Sequence, residues 1–431
     1  GQSRSTGESR RKTVASCSRL APPPEMLRAF GTKLFRKYCR SLGRCGNKSS
    51  QRISRGSVAN SPLPPCSLSS PETGSFRPPR WPAACWLAAA AGRPMNRAAQ
   101  PATAAVAPAE LCPRIGRVLD QTRNGRQLST ATQGAWQVVH GILAFGERFT
   151  VLHEGQPVPA LDYLLSGGRL AGWKLRPGPH GIIAVVEEGS TLGQGHPDQW
   201  LGYLSQCGSD GIPLERPLLV GDQQAQVGDL LSQAQADLRP GQEATWTLMA
   251  LATYLPPDSS WQGADGETWN LERVMAMELE ADLAESACGG AHRLYGLATA
   301  VNRYRQRHPE AAKPLAGVWG EAELTIADCI ERSRQFQQAD GSFSTQYFER
   351  PANSPDVFAK LGSSGHIFEF LAVALPAERL TEPWVLRGAD RLVTMLEQTA
   401  DIDVECGALY HAAHGLLLYR NRVCELISAP D

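Results

Sequence analysis

Four histidines, His140, His292, His366 and His414, each stand at the head of an apolar helical run: Val139-His140-Gly141-Ile142-Leu143, Ala291-His292-Arg293-Leu294, Gly365-His366-Ile367-Phe368 and Ala413-His414-Gly415-Leu416. Imidazole exchanges protons near neutral pH and is a common metal ligand, so one recurrent context for four of the chain's nine histidines bears on chemistry. Taken singly, each reads as a hydrogen-bonded core or helix-end histidine. Taken together, they read as equivalent positions on successive inner helices, all aimed at one central cavity. Only convergence in space separates these readings.

Other groups extend the set. His366 and Glu369 are i, i+3 neighbours in an apolar run (Ile367, Phe368, Phe370, Leu371), so the carboxylate is either buried and paired or faces a cavity. Such a pair suits general acid/base work; a structural hydrogen bond between two helices explains it equally well. Asp401 and Asp403 precede a helix, where they could act as acids or simply cap it. Cys288 and His292 are i, i+4, and Asp403-Val-Glu-Cys406 is followed by His411 and His414. Cys288, His292, Cys406 and His411 are therefore the candidate ligands for a zinc ion, set against the plainer reading that a buried Cys is a small hydrophobe. Trp136, Tyr295 and Tyr410 join His140, His292 and His414 as candidate substrate-binding side chains.

Positioning these groups requires helices. Ser286 to Asn302 reads as a buried helix, with Leu294, Leu297, Ala298 and Val301 on one side and Cys288, His292, Tyr295 and Thr299 on another. Gly289, Gly290 and Gly296 would each cost roughly 1 kcal/mol there relative to Ala, which implies close approach by another helix. Thr130-Ala-Thr-Gln133 reads as a capping box before Ala135 to Phe145. Further helices are expected over 198–205, 225–238, 244–255, 270–285, 286–307, 320–338, 366–375, 383–399 and 404–419. A small β-leaning insertion is expected at about 147–190. Asp265-Gly266 and Asp340-Gly341 mark turns that need a positive φ, each followed by an aromatic able to pack back, Trp269 and Phe343. Paired helices with recurring turns suggest an array of helical hairpins.

The run Gln337-x-x-Asp340-Gly341-Ser342-Phe343, the helix start Gly365-His-Ile-Phe-Glu-Phe-Leu371 and Gly407-Ala-Leu-Tyr-His-Ala-Ala-His-Gly415 resemble the α/α-toroid repeats of terpene cyclases and protein prenyltransferases, over about residues 130 to 420. The resemblance implies a mainly α protein, an α/α toroid of helical hairpins around a central cavity, and places the chain among bacterial proteins of that superfamily. It implies an isoprenoid-like or other small substrate, or a peptide, in that cavity. Asp401-Ile-Asp403-Val404 lacks the last carboxylate of the cyclases' Asp-x-Asp-Asp run, and the Asp403/Cys406/His411 spacing departs by one residue from the prenyltransferases' zinc set. Cys288-Gly289 is similar to the start of the thioester motif of another α/α-toroid family, but Gly290 and Ala291 replace its Glu and Gln, so no thioester can form.

Zero net charge hides a division. Residues 1 to 94 carry 17 Lys+Arg against 3 Asp+Glu, a net +14, and the remaining 26 and 40 give −14. The leading part lacks apolar periodicity and is expected to be disordered. It has the look of a transit peptide or a basic surface arm, and Met26 to Leu42 would form a short basic amphipathic helix. The favoured expectation is that the residues before Met95 are not genuine coding sequence. An Ala/Pro linker follows, so that residues 1–124 form the arm and linker and 125–424 the toroid. The 11 cysteines include no C-x-x-C pair; free thiols in a reducing, cytoplasmic setting are expected. No phosphate loop, Gly-x-Ser-x-Gly elbow, His-Glu-x-x-His or transmembrane run is present, and no specific nucleic-acid partner is expected. Two functions follow: an enzyme using His366, Glu369, Asp401 or Asp403 as acid/base groups, or a non-catalytic scaffold for a peptide or glycan.

Overall fold

The computed structural model describes residues 106–311 and 314–424. The expectations for the basic arm, including the helix at 26–42, lie outside the described residues. Among these residues there are twelve α-helices and four two-stranded antiparallel hairpins. In chain order they are α1 (Pro108–Gly125), α2 (Ala135–Phe145), β1 (Thr150–His153), β2 (Gln156–Pro159), α3 (Ala160–Leu165), β3 (Leu175–Pro177), β4 (Ile182–Ala184), α4 (Gln199–Leu204), β5 (Pro217–Val220), β6 (Gln223–Gln226) and α5 (Val227–Asp237). There follow α6 (Thr245–Tyr254), β7 (Ser260–Gln262), β8 (Thr268–Asn270), α7 (Leu271–Glu280), α8 (Ala291–Arg307), α9 (Gly317–Phe336), α10 (Val357–Ala374), α11 (Pro383–Gln398) and α12 (Cys406–Tyr419).

The even-numbered helices form the inner set. α2 packs on α4, α4 on α6, α6 on α8, α8 on α10, α10 on α12, and α12 back on α2, so the series of contacts closes on itself. Their composition explains their place: α2, α6, α10 and α12 are apolar nearly all round, with Val138, Ile142, Leu248, Leu251, Ile367, Phe370, Leu409 and Leu416 all buried. The odd-numbered helices flank them. α11, for example, buries the stripe Val385, Ala389, Leu392 and Leu396, packs on α10 and α12, and also meets α1. α10 and α12 approach closely, with Gly365 against Ala412 and Gly415 against Glu369; a Cβ added at Gly365 would come within 2.8 Å of the Ala412 backbone nitrogen.

Hairpins recur rather than forming one insertion. Besides the two within 147–190, β5–β6 and β7–β8 add two more, and three of the four run directly into an outer helix with the same apolar spacing: Leu161, Leu164, Leu165 in α3, Val227, Leu230, Leu231 in α5, and Leu271, Val274, Met275 in α7. Inner helix, hairpin, outer helix is thus a unit repeated three times. The strands lack β-branched alternation (Gln223-Gln-Ala-Gln226, for instance), which is why the sequence pattern concealed them.

Helix starts also differ from expectation. α1 begins inside the expected Ala/Pro linker: Leu111, Ile115, Val118 and Leu119 keep helical spacing on a buried face, and Pro108 sits in the first turn where it lacks nothing a helix needs. α2 starts from an N-cap at Gly134 rather than at a Thr130/Gln133 capping box: the Gly134 amide donates to the Gln137 side chain at 2.7 Å, and glycine has no side chain to return the bond. α10 starts nine residues before His366, capped by Asp356. The two Asp-Gly turns form as expected, with Gly266 at φ 81° and Gly341 at φ 87° and with Trp269 and Phe343 buried. The thiol reading is corrected too: Cys112 of α1 is disulfide-bonded to Cys424 at the other end of the described chain, and Cys207, Cys288, Cys329 and Cys406 are free. No described helix is long and apolar enough to cross a membrane.

Candidate functional site

The turn before α8 is the first element of the site. Cys288 (φ 50°, ψ 41°), Gly289 and Gly290 all lie in the left-handed region, so the expected helix over 286–302 begins only at Ala291. The two glycines serve this turn, where an L-residue is strained, and both are closely approached, Gly289 by Tyr347 and Gly290 by Leu283; Gly296 faces another helix, against Met249 and the Thr245 carbonyl of α6. Arg293 fastens the turn from within α8. Its guanidinium pairs with the buried Glu278 carboxylate at 2.9 Å and donates to the Glu278 carbonyl and the Ser286 hydroxyl. Glu278 in turn accepts from Thr245 and the Ala244 amide on α6. Burial raises the Glu278 pKa, and the Arg293 charge opposes that rise.

Cys288, not buried by a helix of its own, lies beside His366 of α10, its sulfur within 4.8 Å of an imidazole nitrogen, and next to Tyr347, whose side chain packs against Gly289. Tyr347 is itself at φ 48°. Two strained non-glycine residues thus stand next to each other, and such strain persists only where surrounding structure enforces it. The Nδ1–H of His366 donates to the Gly362 carbonyl at 2.7 Å, leaving Nε2 to face the thiol. Burial works against charge on His366, but the Cys288 sulfur and then Glu369 outweigh it and raise the pKa to about 9.

His366 stands at the centre of a cluster of rings. His411 lies 4.0 Å away between centroids and His292 4.9 Å; His292 and His411 are 4.9 Å apart and His140 and His411 5.1 Å. Their environments differ. Glu369 accepts from the Nδ1–H of His411 at 2.8 Å and of His414 at 2.6 Å, the i, i+3 spacing on α12 matching the two oxygens of one carboxylate. His411 Nε2 and His140 Nε2 both face the hydroxyl of Tyr203, at 3.5 and 3.3 Å, and His140 Nδ1–H donates to the Trp136 carbonyl at 2.6 Å. Gln199 donates to the same hydroxyl at 3.2 Å. Burial pushes His140 down to about 4 and, with neighbouring His366, holds His411 and His292 well below the ordinary imidazole value. These rings are neutral.

Of the four histidines expected to converge, His140, His292 and His366 gather around His411, and His414 joins them through Glu369; Trp136 and Tyr295 belong to the same assembly, the Trp136 ring 4.1 Å from His140 and the Tyr295 ring 6.4 Å from His414. Others do not. Asp401 and Asp403 are exposed on the loop before α12; Asp403 faces Arg126 at 3.7 Å, and the cap of α12 is Glu405, which accepts from the Gly407 and Ala408 amides. Tyr410 points to the other side of α12, against Phe145 and Phe149. Cys406, its thiol pushed up to about 12 by burial and by Glu405, is at the first turn of α12, away from His411. A zinc set of Cys288, His292, Cys406 and His411, or one of Asp403, Cys406 and His411, therefore does not fit: both nitrogens of His411 are occupied by Glu369 and Tyr203. The ligand atoms that do lie together, all within 4.8 Å of one another, belong to Cys288, His292 and His366.

Sequence reasoning missed Tyr203, Tyr347 and Trp246. Trp246 lies 5.1 Å from His292 and stacks at 4.3 Å on His196, which bonds Glu243 at 2.9 Å, so a row of rings leads outward from the centre. Tyr203 sits in an apolar six-residue helix and Tyr347 in a loop, and neither has a spacing to mark it. Comparison of the chain with protein-family models, with curated proteins and with solved structures gave no match.

Proposed function

We propose that the closed series of paired helices is an α/α toroid and that its centre is the active site of a thiol enzyme acting on a small, polar acyl substrate. One observation carries this reading: the sulfur of Cys288, on strained backbone, lies within 4.8 Å of a ring nitrogen of His366, whose Nδ1–H is fixed by the Gly362 carbonyl. A nucleophile, a base and a third group that orients the base form the usual arrangement for covalent catalysis. The Cys288 proton passes to His366 Nε2 as the sulfur adds to the acyl carbon. The Tyr347 hydroxyl donates to the resulting oxyanion. Collapse breaks the bond to the leaving amine or alcohol, which takes the proton from His366 and leaves a thioester. Water then adds, giving its proton to His366; the sulfur departs, recovers that proton, and the acid is released.

The side chains gathered at the centre favour a polar substrate. Five imidazoles, a carboxylate and three phenols surround the centre, which suits neither an isoprenoid chain nor an alkene-protonating acid from the exposed Asp401 and Asp403. The second reading, a non-catalytic scaffold for a peptide or glycan, gives no account of strain at both Cys288 and Tyr347.

Iodoacetamide labelling tests the proposal. With chelator present at neutral pH, Cys288 should be carboxymethylated faster than Cys207, Cys329 and Cys406, as read by peptide mass spectrometry. In His366→Ala its rate should fall by on the order of tenfold or more, the scale expected on losing a general base. Equal rates in the two proteins would rule the pairing out.

A further inference from the structure

We infer that Cys288, His292 and His366 form a three-ligand zinc site that closes the thiol off. Three features carry it. Their ligand atoms lie within 4.8 Å of one another, and they come from two rigid helices, α8 and α10, and from the turn before α8 that Arg293 fastens, so they are held without each other's help. His292 is more than nine-tenths buried, and its ligand nitrogen lies together with the ligand atoms of the other two. His366 already makes the second contact that orients a metal-bound imidazole, its Nδ1–H donating to a backbone carbonyl with Nε2 left for the ion.

One sulfur and two imidazole nitrogens select zinc over magnesium or calcium, which prefer oxygen. Three protein ligands leave one position of a tetrahedron open, on the side where Cys288 and Tyr347 are partly exposed. The crowded rings behind the trio do not compete: His411 is committed to Glu369 and Tyr203, and His414 to Glu369. Binding joins zinc to the sulfur and displaces the thiol proton to solvent, which takes Cys288 out of nucleophilic use until the ion leaves. The site itself is independent of the proposed acyl chemistry; its role as a block on Cys288 rests on that reading.

The test uses the full chain, stripped with chelator, dialysed, supplied with zinc sulfate and desalted. Elemental analysis should give one zinc per chain for the parent protein and less than a tenth of that for Cys288→Ser and His292→Ala. Cobalt(II) in place of zinc should give a sulfur-to-metal charge-transfer band in the parent that is absent from Cys288→Ser, a readout that needs no His292 variant to fold. Alkylation of Cys288 should slow at least tenfold with zinc in the parent, while within His292→Ala the ratio of rates with and without zinc should return to about one. No retained zinc in the parent, or retention unchanged by either substitution, overturns the site. Retained zinc with no change in alkylation overturns the blocking role. If Cys288 is unreactive even without zinc, the nucleophile reading falls and the stoichiometry still decides the site.

Discussion

Cys288 and Tyr347 both occupy left-handed backbone, at φ 50° and 48°, and the Tyr347 side chain packs against Gly289, the residue after Cys288. Fixing an L-residue there costs about 1–2 kcal/mol, a cost glycine escapes. Cys288→Gly should therefore unfold with about 1 kcal/mol more stability than Cys288→Ala, the comparison that removes the thiol from both. Denaturant titration of the two variants measures it, and equal midpoints would mean the turn is unstrained.

Arg293 and Glu278 form the buried ion pair behind that turn, at 2.9 Å with side chains 6% and 1% exposed. Removing one charge strands the other, so Arg293→Met should lose about 3–5 kcal/mol, whereas Arg293→Met with Glu278→Leu should recover most of it. Because Arg293 also bonds Ser286, the single variant should slow Cys288 alkylation as well. A double variant no better than the single one would place the stabilisation elsewhere.

Glu369 holds His411 and His414 by their Nδ1 protons. Both protons should appear as slowly exchanging, downfield imidazole signals in nitrogen-15 spectra, and both should vanish in Glu369→Leu. Survival of either signal would show that another acceptor serves it.

Asp198, at φ 56° beside a pocket of about 270 Å³ walled by β4, α4 and α5, accepts from Thr247 at 2.6 Å. Burial, and then Asp237, lift its pKa to about 6, with the Thr247 bond working the other way. A folded-state value above the unfolded one means that the protonated form is favoured by folding. The stability this group contributes is full below about pH 4 and is lost as pH rises through 6. Asp198→Asn keeps the Thr247 bond and should remove that slope, gaining on the order of 1–2 kcal/mol above pH 6 once partial solvent access is allowed for. Parallel stability curves for the two proteins between pH 4 and 7 would contradict the assignment.

Reduction of Cys112–Cys424 opens a loop of 312 residues, for which chain entropy sets a loss of up to about 5–6 kcal/mol. Thermal melts with and without a thiol reductant should differ accordingly, and Cys112→Ser should match the reduced protein. No shift on reduction would mean that the clasp does not form.

Much of the helical frame was legible, because α11 repeats its apolar residues every three to four positions and α6 and α12 are apolar runs long enough for helices, and both signals are local. The start of α8 was not: Cys288-Gly-Gly continues an apolar pattern while its backbone turns left-handed. Which helix meets which is also unwritten in local spacing, so the gathering of His140, His292, His366 and His414 stayed one of two readings. Asp401, Asp403 and Cys406 drew notice by type and order, yet an exposed loop and the first turn of α12 place them elsewhere. Tyr203 and Tyr347 act through long-range contacts alone, which no window of sequence contains.

The central claim is that Cys288 forms a covalent acyl intermediate with the help of His366. Chelator-treated protein mixed with p-nitrophenyl acetate and quenched in acid should gain the mass of one acetyl group, located on the Cys288 peptide, with the gain abolished in Cys288→Ser and slowed at least tenfold in His366→Ala. An acetyl group found on other residues only, or formed at the same rate in all three proteins, would contradict the account.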